Sequence, residues 1–318
     1  MIPSITEIRD ARQRIAASAI RTPLVRLNMP ESPAEIYLKL ENLQPIGSFK
    51  IRGAANAIGL MSREELKKGV MTASAGNMAQ GVAWCARELN IPCTIIAPET
   101  APETKIRAIG RLGGSVIKVP FDDWWRAFEE RAFPGVDAAF IDSFDDPDVM
   151  AGNGTIALEV VEDLPDADAI VVPWGGGGLA CGIAAAMREL NPKCRIYAAE
   201  VVTAAPLTAS LNAGSPQVVD HQPSFVDGIG AKTVFPTMLD LAQQLIDGSL
   251  VADLDEVASA VRLLAERNRV IAEGAGACPV ACALSGKAGA GKIACVVSGG
   301  NIEFSKFCSI VGQKFEIH

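Results

Sequence analysis

Histidine is nearly absent from this chain: His221 and His318 are the two among 318 residues. A cysteine/histidine zinc centre has too few ligands here, and covalent chemistry has few candidates besides lysine. Disulfide spacing is also missing. The eight cysteines (85, 93, 181, 194, 278, 282, 295 and 308) form no C-x-x-C, and almost all sit in apolar surroundings. They read as reduced core thiols of a cytoplasmic protein. There is no excess of positive charge either. A formal charge of −8 leaves no basic footprint for nucleic acid or an acidic membrane. The longest uncharged stretch, 169–187, contains Pro173 and four successive glycines. It predicts a buried strand, a loop and a buried helix, and no bilayer span. At the N-terminus Ser4 and Glu7 frame a capping box that leads into an amphipathic helix, with no basic-then-apolar export signal.

What the chain does have is order. Glycine at 29, 49% hydrophobic and 21% charged residues describe a globular protein with many tight turns. Strand-like and helix-like segments alternate, which predicts an α/β architecture around mostly parallel sheets. Strands are expected at 69–73, 93–97, 116–119 and 138–142, with helices at 78–89, 103–112 and 123–133 between them. A second series follows: helix 155–161, strand 169–173, helix 179–190 and strand 196–200. Helices are expected at about 237–246 and 255–269 and a last strand at 293–297, and 214–236 reads as an irregular loop. The division expected is a large domain, 1–65 with 147–318, and a small one, 66–146, with a ligand cleft between them. Trp124 and Trp125 read as domain packing.

Four segments carry chemistry. Lys50 lies in Ser48-Phe49-Lys50-Ile51-Arg52-Gly53, and a buried lysine can lose its proton and form a Schiff base with an aldehyde. Gly175, Gly176, Gly177 and Gly178 separate an apolar strand from an apolar helix, where backbone N–H groups can hold a phosphate. The same stretch partly fits a dinucleotide fingerprint through Gly175, Gly177 and Ala180, with Glu200 as the ribose acid. That alternative leaves the lysine segment unexplained. Residues 72–77 end one strand and open a helix, so Ser74, Ala75, Gly76 and Asn77 can receive a carboxylate. Ser298 ends another buried strand before two glycines.

Taken in order, the run Lys39 to Pro45 with Ser48 to Ala54, the loop Ser74 to Asn77, the segment Ala151 to Thr155, the four glycines and Ser298 to Asn301 resemble the serine/threonine dehydratase family. These are fold-type II pyridoxal-phosphate enzymes related to serine racemase and threonine deaminase. The resemblance covers nearly the whole chain. It implies two open, mostly parallel twisted sheets in two domains with pyridoxal 5′-phosphate in the cleft. It further implies that Lys50 forms the Schiff base, Phe49 packs on the pyridine ring and Asn77 bonds the ring's 3′-oxygen. Gly175 to Gly178 would hold the phosphate and Ser298 would face the pyridine nitrogen. Ser74 and its loop, Ala75, Gly76, Asn77 and Met78, would line the substrate site.

A hydroxyl beside the ring nitrogen, in place of a carboxylate, leaves a moderated electron sink that suits elimination. The activity implied is dehydration of a β-hydroxy-α-amino acid such as L-threonine or L-serine to a 2-oxo acid and ammonia, with the cofactor phosphate protonating the leaving hydroxyl. A bulkier substrate of phenylserine or hydroxyaspartate type, or racemisation of serine, are the alternatives.

The departures from the family pattern bear on specificity. Met78 stands where a histidine is usual and Asn153 where a glutamine is, both expected near the substrate side. Ala75 replaces the serine that racemases use as second acid/base. Glu200 matches the first carboxylate of the divalent-metal members but Pro206 replaces the second, which leaves Glu200 to a monovalent ion or none. The chain ends soon after the last motif, so no regulatory domain is expected. A homodimer or tetramer is the assembly implied. A nicotinamide-dependent oxidoreductase and a non-catalytic amino-acid sensor are the rivals from other classes.

Overall fold

The computed structural model describes residues 1–312, so His318 lies outside the described residues. Ten strands are present among the described residues: β1 (Leu24–Arg26), β2 (Glu35–Lys39), β3 (Val70–Ala73), β4 (Cys93–Pro98), β5 (Ser115–Val119), β6 (Ala139–Phe140), β7 (Ala169–Pro173), β8 (Arg195–Val201), β9 (Gly248–Ala252) and β10 (Lys292–Val296). They form a six-stranded sheet ordered β1-β2-β10-β7-β8-β9 and a four-stranded sheet ordered β5-β4-β3-β6. All neighbours run parallel except β1 and β2.

The larger sheet is buried on both faces, as parallel sheets covered by helices are. Alternate residues of one strand therefore enter different cores. Ile170 and Val172 join helices Pro147–Asp163 and Gly178–Leu190 in one cluster, and Ala169 and Val171 join helices Leu254–Leu263 and Gly274–Leu284 in the other. Helix Lys50–Gly59 belongs to the seam between the sheets. Its Ile51, Ala54 and Ile58 share a core with Met78 and Val82 of helix Asn77–Glu88 and with Val149 of helix Pro147–Asp163.

That helix is also anchored by charge. The Arg52 guanidinium donates to both oxygens of Glu41 (2.8 and 2.9 Å) and of Glu159 (2.7 and 2.9 Å). Lys39 donates to Glu159 and to the Thr22 carbonyl, and all four charged side chains are 4% exposed or less. Burial disfavours charge on Glu41, but Arg52 and Thr22 outweigh it and hold the carboxyl below the usual range.

Several elements differ from expectation. The helix expected at 155–161 begins at Pro147, capped by Asp146. Gly152 and Gly154, which precede the expected start, lie inside it; a Cβ on Gly152 would overlap the Arg52 carbonyl, so the residue is glycine because two helices cross there. Asn153 is 1% exposed between those helices and does not line the cavity, which corrects its placement near the substrate. Strand β9, helix Pro206–Ala213, the N-terminal β1 and β2, and helix Gly274–Leu284 lacked a clean sequence signal. Seven cysteines are buried, and Cys308 is exposed.

Candidate active site

The parallel strands deliver their carboxyl ends to one cleft, where open α/β sheets bind ligands. After β3 comes Ser74, after β7 the glycine loop, and after β10 Ser298. Four helices also begin there: Lys50–Gly59, Asn77–Glu88, Gly178–Leu190 and Gly274–Leu284. Their free N–H groups and aligned dipoles favour anions. The cavity is about 570 Å³ and is lined by Phe49, Lys50, Ser74 to Met78, Gly175 to Gly178 and Ser298, among others. Residues from four distant segments that the sequence singled out are thus brought together.

Lys50 is the first residue of its helix, and its Nζ donates to the Ser143 carbonyl at 3.2 Å. Two phenyl rings flank the amine, Phe49 with its centroid at 5.3 Å and Phe144 at 5.7 Å. Burial pulls the amine down to about 8, against the opposing pull of the negative charges on Asp142 and Glu273. A substantial fraction is therefore neutral near physiological pH, the form that attacks an aldehyde.

The glycine loop is shaped by its neighbours. Gly177 has φ +94°, a conformation that other residues adopt only with strain. A Cβ on Gly176 would fall within the Phe144 ring. No side chain caps the helix that starts at Gly178, so its first N–H groups are available to a phosphate. These observations fit pyridoxal phosphate: an amine of lowered basicity, an uncapped glycine turn for the phosphate, and aromatic walls between them.

Ser74 turns the other loop, its Oγ accepting from Gly76 N at 3.2 Å and its own N–H donating to the Ile96 carbonyl. Met78 reaches the cavity wall but is 2% exposed and packs mostly into the core beside Ile51 and Val82. Glu200 is fully buried in the large sheet. Its oxygens accept from Leu207 N, Thr208 N, Thr208 Oγ1 and Ser249 Oγ at 2.7–2.8 Å, so it caps helix Pro206–Ala213. Among the described residues, no group of three or more His, Cys, Asp or Glu side chains gathers to hold a metal.

Three participants went unread in the sequence, and a fourth, Asn301, was read only as the end of a motif. Ser143 and Phe144 lie in a stretch with no motif, although Phe144 contacts both Lys50 and the glycine loop. It also continues a ring cluster through Phe128 (5.1 Å) and Phe235 (6.1 Å) to Trp125. Glu273 lines the cavity and is bonded to Asn77, and Asn301 is bonded to Asn77 in turn. A signal for Glu273 existed: it is a lone carboxylate in the apolar, small-residue run 270–283.

Residues 15–299 match the family described as pyridoxal-phosphate dependent enzyme. The chain is 40% identical over 315 residues to a protein of Thermotoga maritima named L-threonine ammonia-lyase, covering 98% of this chain and 78% of that one. To a catabolic L-threonine dehydratase of Escherichia coli K12 it is 35% identical, over 97% of this chain and 96% of the other. The solved structure of maize serine racemase superposes with a TM-score of 0.91 at 31% identity, covering 97% of each chain.

Proposed function

The chain belongs to the pyridoxal-phosphate dependent enzyme family, and from that premise we propose that it is an ammonia-lyase. It dehydrates a β-hydroxy-α-amino acid such as L-threonine or L-serine, giving a 2-oxo acid and ammonia. The observation that carries this reading is the amine of Lys50, set between two phenyl rings and in one cavity with an uncapped four-glycine turn.

When bound, pyridoxal phosphate supplies an aldehyde for the lysine and a conjugated ring that accepts electron density from the substrate Cα. Gly175 to Gly178 would hold the phosphate through main-chain N–H groups, and Phe49 would cover the ring. Ser298 would meet the pyridine nitrogen, and Asn77 would donate to the 3′-oxygen. Ser74, Ala75 and Gly76, at the start of helix Asn77–Glu88, receive the substrate carboxylate. Lys50, when neutral, would take the proton from the substrate Cα, a role its lowered basicity supports.

Elimination needs no acid on the opposite face of Cα, whereas racemisation does. Ala75 offers a methyl group there, which favours the lyase over the racemase reading. The two sheets support the lobe division at 1–65 with 147–318 and at 66–146.

The deciding experiment is a 2-oxo acid assay over L-serine, L-threonine, 3-hydroxyaspartate and phenylserine with the holoenzyme. Release of 2-oxo acid and ammonia in equal amounts is expected from at least one of them. Conversion of L-serine to D-serine without 2-oxo acid would overturn the assignment.

A further inference from the structure

Asn77 is held in a chain of hydrogen bonds whose direction is fixed at one end. The Ile46 carbonyl can only accept, so Asn301 must present its NH₂ group there, at 2.8 Å. The same nitrogen donates to Asn77 Oδ1 at 2.8 Å. Asn77 therefore turns its own NH₂ the other way, where one N–H donates to Glu273 Oε1 at 2.8 Å. A flipped amide would set nitrogen against nitrogen at Asn301 and oxygen against the Glu273 carboxylate. The second N–H of Asn77 is left for the cavity that this residue lines.

Glu273 is placed for this task. It immediately precedes helix Gly274–Leu284, its backbone N–H bonds the Gly299 carbonyl at 3.0 Å, and the residue is 8% exposed. A Cβ on Gly299 would meet Oε1 at 2.5 Å, so the carboxyl is confined.

We propose that Glu273 is a positioning residue that fixes, through Asn77, the hydrogen-bond donor the cavity presents to the bound cofactor, and that its proton alters the strength of that donor. A carboxylate behind an amide polarises one N–H and leaves the other a weaker donor; a carboxylic acid does so less.

Charges around Glu273 come from several elements. Lys50 faces it across the cavity. Asp227 and Lys105, paired at 3.0 Å, stand on the far side, and Glu303 and Lys306 line a second space of about 50 Å³ that Glu273 and Asn301 also border. That space adjoins the main cavity and is large enough for a water molecule. Burial, with Asp227 adding to it, pushes the carboxyl up to about 7 against the opposing bond from Asn77.

The inference rests on the cofactor assignment and is independent of which substrate is used. The test compares wild type, Glu273→Gln and Glu273→Ala, each titrated with pyridoxal phosphate and scanned in the visible range between pH 6 and 8.5. Wild-type holoenzyme should show a spectral midpoint near pH 7. Glu273→Gln, whose amide oxygen still accepts from Asn77, should bind cofactor within about twofold of wild type but lose that midpoint. Glu273→Ala should bind about tenfold more weakly. A midpoint that persists in Glu273→Gln, one missing from wild type, or unchanged affinity in Glu273→Ala each overturns the proposal. Should Glu273→Ala fail to fold, the pH profile of Glu273→Gln decides alone. Failure of every form to bind pyridoxal phosphate would instead overturn the cofactor assignment.

Discussion

Replacing Arg52 by methionine removes the guanidinium that neutralises Glu41 and Glu159 while keeping most of the volume. Six hydrogen bonds are lost: two to each carboxylate, one to Thr155 Oγ1 at 3.0 Å and one to the Ile20 carbonyl at 3.2 Å. Lys39 alone then faces two buried carboxylates. Breaking a buried ion pair from one side costs about 3–5 kcal/mol, because the partner is left charged and dry. The pH dependence carries the sign. In wild type the Glu41 carboxyl is held low, so its stabilisation is present above the ordinary carboxylate range and is lost as pH falls through the lowered value. In Arg52→Met a buried carboxylate without its cation is raised, takes up a proton and becomes tolerable in acid. The deficit should therefore be largest at pH 7.5 and shrink by pH 5. Urea unfolding monitored by circular dichroism at both values is the assay. Adding Glu41→Gln to Arg52→Met should recover about 1–2 kcal/mol at pH 7.5, since the unpaired charge is gone. A loss below about 1 kcal/mol, or one equal at both pH values, would refute the reasoning.

Three other outcomes follow from the site. Lys50→Ala should fold but show no turnover, and borohydride reduction of holoenzyme followed by peptide mapping should place the pyridoxyl label on Lys50 and nowhere else. Because that amine is drawn down to about 8, the rate at which apoenzyme captures pyridoxal phosphate should fall by about tenfold per pH unit below that value and level off above it, as stopped-flow absorbance would record. Gly176→Ala drives a methyl group into the Phe144 ring, and at about 1–3 kcal/mol for overpacking it should weaken cofactor binding by about tenfold or more in fluorescence titration. Ala75→Ser should raise the ratio of D-serine formation to pyruvate formation, measured by chiral chromatography; an unchanged ratio would remove this position from the choice between the reactions.

Much of the site was legible because its chemistry leaves marks within short windows. Four glycines in a row, a lysine flanked by an aromatic, and a serine–glycine–asparagine turn each demand a local backbone that few other sequences supply. The strands between them were legible for a related reason: β3, β4, β7 and β10 are apolar runs with polar or glycine boundaries. What escaped was set by partners far along the chain. Helix Pro147–Asp163 carries Gly152, Asn153 and Gly154 in its interior, a run of poor helix propensity whose reason emerges only when helix Lys50–Gly59 is laid across it. Helix Gly274–Leu284 holds Pro279 and two glycines, so its propensity is poor and its burial decides. Glu273 and Phe144 had no motif, because their roles are defined only by Asn77, Lys50 and Gly176 arriving from elsewhere. The Lys39, Glu41 and Arg52 positions, prominent in the same run as the lysine, turned out to hold a helix in place and not to touch the cleft.

The pairing of β2 with β10 has a consequence for how the protein comes into being. Glu35 lies beside Lys292 in register, so the strand just ahead of the lysine segment has no inner neighbour until synthesis has passed 292–296. Pairings so distant in sequence form slowly, and N-terminal segments awaiting them are the ones exposed to misassembly during synthesis. The four-stranded sheet, by contrast, is drawn wholly from 70–140 and can assemble earlier. An amine ready to trap aldehydes would be a hazard on a nascent chain in a cell that contains free pyridoxal phosphate. Lys50 shares its cavity with Ser298, just past β10, so the site around the nucleophile is complete only once that strand has joined the sheet.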